Sequence, residues 1–220
     1  MSGEVPRGAE TMAKLHEVRS GWRYSMVKRK LDLKVMKNLV FPYIPVLVGV
    51  NVDEKPNYIA IGLIGWLCYD TMAISVGHQQ YSRKGLEENR TFSINQPGAK
   101  LVRELDYCGM VSGRTTDKAS LFETFYGETK TAPMIAECPI NLECRVVQTL
   151  VRPVHTVFLG EVVAVHASED ALTGGVPDVS RIEPVFYAPD PSAGKQVHSY
   201  WTLGERIGRA YEIGNALRPK

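Results

Sequence analysis

Two valine-rich runs joined by a short turn constrain the fold of this chain most strongly. Leu142–Val151 and Thr156–Ala167 have the β-branched composition that is typical of strands, and only Arg152-Pro153-Val154-His155 separates them. The pattern predicts a long β-hairpin. A shorter hairpin is predicted earlier, where Val46–Val52 and Asn57–Leu63 flank the turn Asp53-Glu54-Lys55-Pro56.

The other predicted elements are short. Further strands are expected at Met72–Val76, Thr91–Ile94 and Val185–Tyr187, and helices near Thr11–Arg19, Lys100–Tyr107, Leu121–Tyr126 and Glu205–Ala216. Six or so mostly antiparallel strands, with too few crossover helices for a parallel sheet, favour a mainly β fold with helical inserts built as a small barrel. A Rossmann fold is disfavoured because no GxGxxG follows a strand, and Gly174-Gly175 falls in a polar loop, Ala171–Ser180, expected at the surface.

Composition narrows the class of protein. At 220 residues and 44% hydrophobic content, we expect one domain spanning 1–220, with an N-terminal helical extension and a C-terminal tail. The net charge is +2, from 26 basic and 24 acidic residues, so small molecules or proteins are expected as partners rather than nucleic acid or membrane. Without an apolar leader, or a run of about 18 apolar residues, the expected location is the cytoplasm.

Cysteine and histidine spacing indicates no metal site. The four cysteines form no CxxC pair, and the five histidines form no HxxxH or comparable ligand pair. We therefore expect reduced, mostly buried thiols at the positions Cys68, Cys108, Cys138 and Cys144.

The segment 72–95 carries the clearest functional signal, because a short helix between two strands has its charges reversed. The helix should begin near Ser82, as its N-cap, and end at Asn89, with Arg83 and Lys84 at the positive end of its dipole. Glu87 and Glu88 crowd the negative end, and each misplaced charge costs about 0.3–1 kcal/mol if exposed.

A bound anion would reverse the sign of the interaction at the helix start. Free N–H groups, the Ser82 hydroxyl and two cations predict a phosphate site, which Gly85 would leave unobstructed. The alternative is a solvated surface turn with scattered charges.

Five segments in order resemble the flavin reductase-like, FMN-binding split-barrel family, and in particular its flavoredoxin-type members. They are NYIAIGLIGW, SVGHQQYSRKGLEENRTFSIN, DYCGMVSGRTTDKASLF, APMIAECPINLECRVV and HTVFLGEVVAV, and the resemblance covers roughly residues 40–167, with a weaker echo in YWTLGERIGRAYEIG. It implies a Greek-key split β-barrel, non-covalent FMN and a homodimer with flavin near the interface.

The resemblance also implies which residues meet the cofactor. Ser82, Arg83 and Lys84 fall where the family holds the FMN phosphate, in agreement with the charge argument. A strand would run along the isoalloxazine largely through its backbone, at Asn57, Ile59, Ala60, Ile61 and Gly62. Gly62 suits such an approach because it has no Cβ, although with Gly65 it is equally explained by a bend of the barrel.

Further contacts implied by the resemblance lie elsewhere in the chain. Ser75, Val76 and Gly77 would line the polar edge of the flavin, Asn95 would reach the ribityl chain, and Lys118 would place a cation near the pyrimidine edge. Ala60 stands where many relatives carry a hydroxyl residue. Taken alone, Asn95 also fits a strand-ending turn and Lys118 a solvated loop.

His155 is the one catalytic candidate, since relatives place a histidine near flavin or nicotinamide at this point. Pro153-Val154 replaces the usual preceding Gly-Asp. Flavin chemistry requires no acid–base dyad. The resemblance implies an FMN-dependent oxidoreductase, either an NAD(P)H:flavin reductase or a flavoredoxin-like electron carrier, with NADH, NADPH or a redox protein as its partner. A split-barrel module that binds flavin without turnover is the alternative.

Overall fold

The computed structural model describes residues 42–194 and 197–218, together with Lys28 and Lys30. The chain divides into two units, Met1–Leu39 and Val40–Lys220, and the fold lies in the second. The helix predicted at Thr11–Arg19, and with it the N-terminal extension, falls outside the described residues.

Strands dominate the structure and most join one antiparallel sheet. They are β1 (Val46–Val52), β2 (Lys55–Ile61), β3 (Ile64–Trp66), β4 (Thr71–Gly77), β5 (Thr91–Gln96), β6 (Thr124–Phe125), β7 (Met134–Ile135), β8 (Ile140–Val151), β9 (His155–Ala167), β10 (Leu172–Thr173), β11 (Val176–Pro177), β12 (Phe186–Pro189) and β13 (His198–Trp201). Seven of them form a sheet in the order β2-β1-β5-β8-β9-β4-β3, while β6-β7, β10-β11 and β12-β13 form three small hairpins. The curled antiparallel sheet confirms the predicted split barrel, with β8 and β9 as its longest hairpin.

The barrel closes because the chain changes strand partner between β2 and β3. β2 pairs with β1, whereas β3 pairs with β4 after only Gly62 and Leu63. The Leu63 carbonyl also accepts a hydrogen bond of 2.9 Å from the Ser75 N–H. The strand predicted at Asn57–Leu63 corresponds to β2, which ends at Ile61, and the next strand, β3, lies at the opposite end of the sheet order.

Two hydrophobic clusters lie on the two faces of this sheet. The larger fills the barrel with alternate side chains of β1, β2 and β4, such as Val48, Ile59 and Ile74. The smaller packs Leu47 and Tyr58, on the outer face of β1 and β2, against helical residues that include Leu105 and Cys108. Strands buried on both faces explain the nearly continuous apolar run of β1.

In the described part of the chain, three α-helices pack on the barrel, α1 (Ser82–Asn89), α2 (Val102–Met110) and α3 (Val179–Ile182). α1 has the predicted bounds, and its Leu86 is fully buried in the barrel core. α2 confirms the helix predicted near Lys100–Tyr107, following a 3₁₀ turn at Ala99–Leu101.

Two other helix predictions were wrong. Leu121–Tyr126 contains the end of a 3₁₀ turn and the strand β6, because Thr124 and Phe125 pair with β7. Glu205–Ala216 forms only a 3₁₀ turn at Ile213–Leu217, since exposed residues such as Ile207 and Tyr211 bury no apolar face that would stabilise a helix.

All four cysteines are free thiols in the structure. Cys108, Cys138 and Cys144 are buried free thiols and Cys68 is exposed. Burial raises the pKa of Cys108 to about 11 and that of Cys144 to about 12, which keeps both protonated.

Within the described ranges, no helix has the length and apolar character needed to cross a bilayer.

Candidate functional site

The wall of the barrel opens between β2 and β4. At one end of this opening, Leu63 and Ser75 are hydrogen-bonded through their backbones. At the other end, the Asn57 Nδ2 donates a hydrogen bond of 2.7 Å to the Ser82 Oγ at the start of α1. Between these two bonds, in the part of the chain that the structure describes, no strand pairs with the outer edge of β2. We call this region the barrel opening.

The predicted flavin strand lies along the barrel opening with its backbone unpaired on one side. The side chains of Ile59 and Ile61 point into the barrel core. Ala60 lies on the opposite face, under α2, where a Cβ on Gly109 would approach it to 3.4 Å. Asn57 is buried, and Gly62 lies at the mouth of the barrel. A ligand beside this strand would therefore meet its backbone, as the resemblance implied.

β4 forms the other side of the barrel opening. Ser75 is half-buried, the Val76 side chain is fully buried in the core, and the Gly77 N–H donates a hydrogen bond of 2.9 Å to the Gln80 Oε1. His155, the first residue of β9, pairs in register with Gly77. The structure thus brings the catalytic candidate next to the three β4 residues predicted at the flavin edge.

Ser82 does not cap α1, in contrast to the prediction. The N-cap is Tyr81, in a helical backbone conformation and without a side-chain cap. Ser82 is the first helical residue and is buried, because its hydroxyl serves as the acceptor for Asn57. The Arg83 and Lys84 N–H groups donate to the carbonyls of Gln80 and Tyr81, which tightens the first turn and leaves fewer free donors than predicted.

Both cations at the helix start have anionic partners inside the protein. Arg83 pairs with Glu87 at 2.7 Å, and Lys84 pairs with Asp53 and, at 3.9 Å, with Glu88. Hydrogen bonds from Lys84 and then Tyr81 lower the pKa of Asp53, and the same contact raises the pKa of Lys84. The i,i+4 pairs explain how the reversed charges are tolerated.

A groove of about 500 Å³ lies at the start of α1, lined by His78, Gln80, Tyr81, Arg83, Lys84, Glu87, Glu88 and Arg114. Arg114 is a third cation that the sequence analysis missed; its guanidinium carbon lies 5.9 Å from the centroid of the Tyr81 ring. It makes no ion pair with any residue that the structure describes. We call this cavity the α1 groove.

The turn that carries Arg114 is held against the barrel opening. The Ser112 Oγ accepts from the Arg114 N–H at 3.2 Å, and the Ser112 carbonyl accepts from the Thr115 N–H at 3.1 Å. A Cβ on Gly113 would lie 1.9 Å from the Asn57 Oδ1, so only glycine permits this approach. The tripeptide Ser112-Gly113-Arg114 was visible in the sequence, but nothing local connected it to Ser82.

Gly85 was predicted to leave room for a ligand, but in the structure it faces β1 instead. A Cβ at this position would lie 2.1 Å from the Asn51 carbonyl oxygen and 2.8 Å from the Val50 Cγ2. Gly85 therefore lets α1 pack closely against β1.

Asn95 was predicted to reach the ribityl chain, but in the structure its amide bonds only to residues of the core. It is fully buried, its Nδ2 donates to Leu47 O and Ser93 Oγ at 2.9 Å, and its Oδ1 accepts from the Ile135 N–H and the Asn141 Nδ2. Every donor and acceptor of the amide is used within the core. Asn95 therefore joins β5 to its neighbours and has no free group for a ribityl chain.

Lys118 is buried rather than solvated. Its Nζ donates to the carbonyls of Cys108 at 3.1 Å and Val111 at 3.2 Å, at the end of α2. Burial lowers the pKa of Lys118. The cation neutralises the negative end of that helix, and its predicted role beside a flavin remains a prediction.

A second cavity, of about 470 Å³, lies at the mouth of the barrel and is mostly apolar. Tyr43, Gly62, Trp66 and Met72 are among its lining residues. Among the described residues, no group of three or more histidine, cysteine or acidic side chains is placed to hold a metal ion.

Comparison with known proteins agrees with this fold. Residues 36–189 match the flavin reductase-like domain. The flavoredoxin of Methanosarcina acetivorans is 39% identical, with a TM-score of 0.78 over 87% of this chain and 100% of that chain. The flavoredoxin of Desulfovibrio vulgaris (Miyazaki F) is 30% identical, with a TM-score of 0.75 over 86% of this chain and 100% of that chain.

A more distant structure shares the fold alone. The NADH:FAD oxidoreductase of Streptomyces globisporus is 22% identical, with a TM-score of 0.57 over 64% of this chain and 88% of that chain. The domain match and the two flavoredoxin structures are the stronger findings, since they cover most of this chain. The chain therefore belongs to the flavin reductase-like domain family, as a flavoredoxin-type split barrel whose function is of the flavin-binding oxidoreductase type.

Proposed function

We propose that this protein binds FMN in the barrel opening and acts as an FMN-dependent oxidoreductase. The observation that carries the proposal is the convergence of Arg83, Lys84 and Arg114 on one groove beside the unpaired edge of β2. Three cations suit a phosphate, and an unpaired strand edge offers donors and acceptors to the polar rim of a flat ring. The two flavoredoxins support the same assignment by similarity.

The internal ion pairs do not prevent phosphate binding. The side chains of Lys84 and Asp53 are 46% and 59% exposed, and Arg83 and Glu87 are also partly exposed. Solvent screens exposed pairs of this kind, so they contribute little to stability, whereas charge-assisted hydrogen bonds to a phosphate are strong. Arg83 and Lys84 can therefore exchange their carboxylate partners for a phosphate at little cost.

His78 supports the presence of a ligand in the α1 groove. Its Nε2 is buried and has no hydrogen-bond partner among the described residues. Buried polar atoms are rarely left in this state. A phosphate or ribityl oxygen in the groove would supply the missing partner.

The flavin supplies the redox chemistry when bound, and the protein supplies orientation and electrostatics. Arg83, Lys84 and Arg114 would hold the phosphate, the backbone of β2 would orient the ring, and His155 would lie at the β4 side. The expected electron donor is NADH, NADPH or a reduced redox protein. We further propose that the protein is cytoplasmic.

A homodimer is part of the proposal. The hairpin of β8 and β9 carries several exposed apolar side chains, among them Val147, Leu150, Val151 and Val165, each more than half exposed. Clustered exposed apolar side chains are typical of interaction sites. Light scattering should give the mass of a dimer at micromolar concentration, and Leu150→Arg should shift it towards the monomer; a wild-type monomer would contradict this part.

The binding proposal is tested by ligand affinity. Arg83→Ala/Lys84→Ala and Arg114→Ala should each weaken FMN binding at least tenfold while changing riboflavin binding by less than threefold, because riboflavin lacks the phosphate. Arg145→Ala is the control, since it removes an exposed cation paired with Glu161 at 3.8 Å, on β8 and β9. Equal losses for the two ligands would refute a phosphate role.

The reaction is tested separately on FMN-loaded protein under anaerobic conditions. Bleaching of the visible flavin absorbance by NADH or NADPH identifies a reductase. Reduction only by a redox protein identifies an electron carrier. Flavin that stays oxidised with either class of donor would indicate a binding module without turnover and overturn the proposed activity.

A further inference from the structure

The last described segment of the chain, residues 202–218, has the pattern of an amphipathic helix. Leu203, Ile207 and Tyr211 recur every four residues, so that a helix would bring them to one side. Arg209 would lie on the opposite side of such a helix, facing solvent. We call this segment the tail.

In the single chain the tail has no surface on which to form this helix. Its regular structure is limited to a 3₁₀ turn at Ile213–Leu217. Ile207 is 91% exposed and Tyr211 is 99% exposed. Within the described part of the chain, the hydrogen bonds and the ion pair of the tail join tail residues to one another. Gly208 weakens an isolated helix, so a helix here requires a packing surface that the single chain does not supply.

The barrel carries an unfilled apolar surface at its mouth. The mouth cavity of about 470 Å³ is mostly apolar, and Trp66, which helps to line it, is 57% exposed. Trp66 also borders an open hollow with Leu67, Cys68 and Tyr69, all of which are exposed. We call the cavity and these four residues the mouth surface. Apolar patches of this kind are typical of interaction sites, and amphipathic helices dock in apolar grooves.

The single chain holds both surfaces but does not pair them. Pro42 lines the mouth cavity and also a smaller cavity that it shares with Trp201 and Leu203, where the tail begins. The tail therefore starts near its own barrel mouth, yet Ile207 and Tyr211 stay exposed. This arrangement favours a second copy of the chain, rather than the same chain, as the receiver of the tail.

A second copy covers both surfaces at once. In a twofold dimer each subunit supplies one tail and receives one, so the same two surfaces are covered in both subunits. A standard interface takes about 20–30 residues from each partner. The tail and the mouth surface together supply a comparable number of residues.

We propose that the tail of each subunit folds into a helix on the mouth surface of its partner, with Ile207 and Tyr211 as the apolar anchors. The inference rests on the proposed homodimer and adds this exchange of tails to the contact between the β8–β9 hairpins. Gly62 also lines the mouth cavity, so the docked tail covers the end of β2 at the proposed flavin site.

The anchors are tested by the dissociation constant of the dimer, measured by analytical ultracentrifugation on full-length protein. Ile207→Glu should raise this constant at least tenfold, because it places a charge in an apolar contact. Arg209→Gln is the matched control: it lowers the net charge by the same single unit, but on the opposite side of the helix. It should change the constant less than threefold. Circular dichroism should show helix content that falls when wild-type protein is diluted into monomers.

Crosslinking identifies the subunit that receives the tail. Cys68 is the exposed cysteine of the mouth surface, and the other three cysteines are buried. Tyr211→Cys, treated with a short bismaleimide, should give a covalent dimer on a denaturing gel. Adding Cys68→Ala to this variant should abolish the covalent dimer, and wild-type protein is the control without the new thiol. A crosslink from position 211 to Cys68 within one subunit would overturn the inference.

Two further outcomes separate the inference from the proposed homodimer. If wild-type protein is a dimer, equal dissociation constants for Ile207→Glu and Arg209→Gln would overturn the exchange of tails and leave the homodimer intact. If wild-type protein is a monomer at micromolar concentration, the homodimer and the exchange of tails are both overturned. The proposed FMN site is tested independently of either result, by ligand affinity.

Discussion

Asn57 and Ser82 are joined by a buried hydrogen bond of 2.7 Å between the Asn57 Nδ2 and the Ser82 Oγ. The bond connects β2 to the first residue of α1, across 25 positions of sequence. It fixes one end of the barrel opening, and Gly113 packs against the same asparagine. One side-chain pair thereby places the helix start, the edge strand and the turn of Arg114 around a common site.

Ser82→Ala should lower the free energy of unfolding by about 1–3 kcal/mol, because it leaves the buried Asn57 amide without an acceptor. Urea denaturation measures the change. In a double-mutant cycle with Asn57→Ala, a coupling energy of about 0.5–3 kcal/mol is expected for the direct contact. Additive effects of the two substitutions would show that the bond contributes nothing.

Gly85→Ala should destabilise the protein by about 1–3 kcal/mol, although alanine is the better helix former by about 1 kcal/mol. The reason is the Asn51 carbonyl oxygen, 2.1 Å from the position of the added Cβ. Gly109→Ala in α2 is the matched control, since its Cβ meets only the Ala60 Cβ at 3.4 Å and should leave stability unchanged or raised. Thermal melts compare the two, and equal melting temperatures would contradict the close-packing explanation.

Acid should destabilise the fold through Glu143. This fully buried carboxylate accepts hydrogen bonds from the Thr129 N–H at 2.7 Å, the Thr129 hydroxyl at 2.6 Å and the Glu128 N–H at 3.1 Å, and it lies 2.7 Å from the His166 Nε2. Burial raises its pKa, but these contacts outweigh burial and hold the pKa below the ordinary 4.5.

A lowered folded-state pKa gives stability that is present above the unfolded pKa and lost as the pH falls through the folded pKa. The free energy of unfolding should therefore fall from about pH 5 downwards. Glu143→Gln should be less stable at pH 7 by about 1–3 kcal/mol and should lose less stability between pH 5 and 3. Half-exposed Glu161→Gln is the control; an unchanged acid profile in Glu143→Gln would refute the assignment.

His155→Ala should slow reduction of bound flavin by NAD(P)H and leave FMN affinity within a few fold, because a contact made only in the transition state affects turnover and not ground-state binding. Its place opposite Gly77 motivates this expectation. Stopped-flow reduction measures the rate, and a thermal melt serves as the control for folding. A variant that loses about 1 kcal/mol of stability but reduces flavin at the wild-type rate would show that His155 is only a turn residue.

The sequence determined the elements whose signals are local. Strand composition and turn residues predicted the β8–β9 hairpin and the antiparallel barrel. The bounds of α1 were predicted from residues within the helix itself, such as Leu86. In each element the informative residues lie within a few positions of one another. The exchange of hydrogen-bonding partners at Gly62-Leu63 was not predicted, because the residues that β2 and β3 pair with come from opposite ends of the sheet. The helix prediction at Leu121–Tyr126 was wrong for the same reason, since only the pairing of Thr124 and Phe125 with β7 makes them a strand.

The charges at the site show the same division. The sequence placed Arg83 and Lys84 at a helix start, because the residues that mark that start lie beside them in the chain. The effect of their charges could also be predicted, since a helix dipole acts within one turn. Only the tertiary structure decided that Arg114 joins them, that Ser82 serves Asn57, and that Asn95 and Gly85 serve the core. Whether a polar side chain is free for a ligand depends on neighbours that the fold brings from distant positions, and no local pattern in the sequence encodes those neighbours.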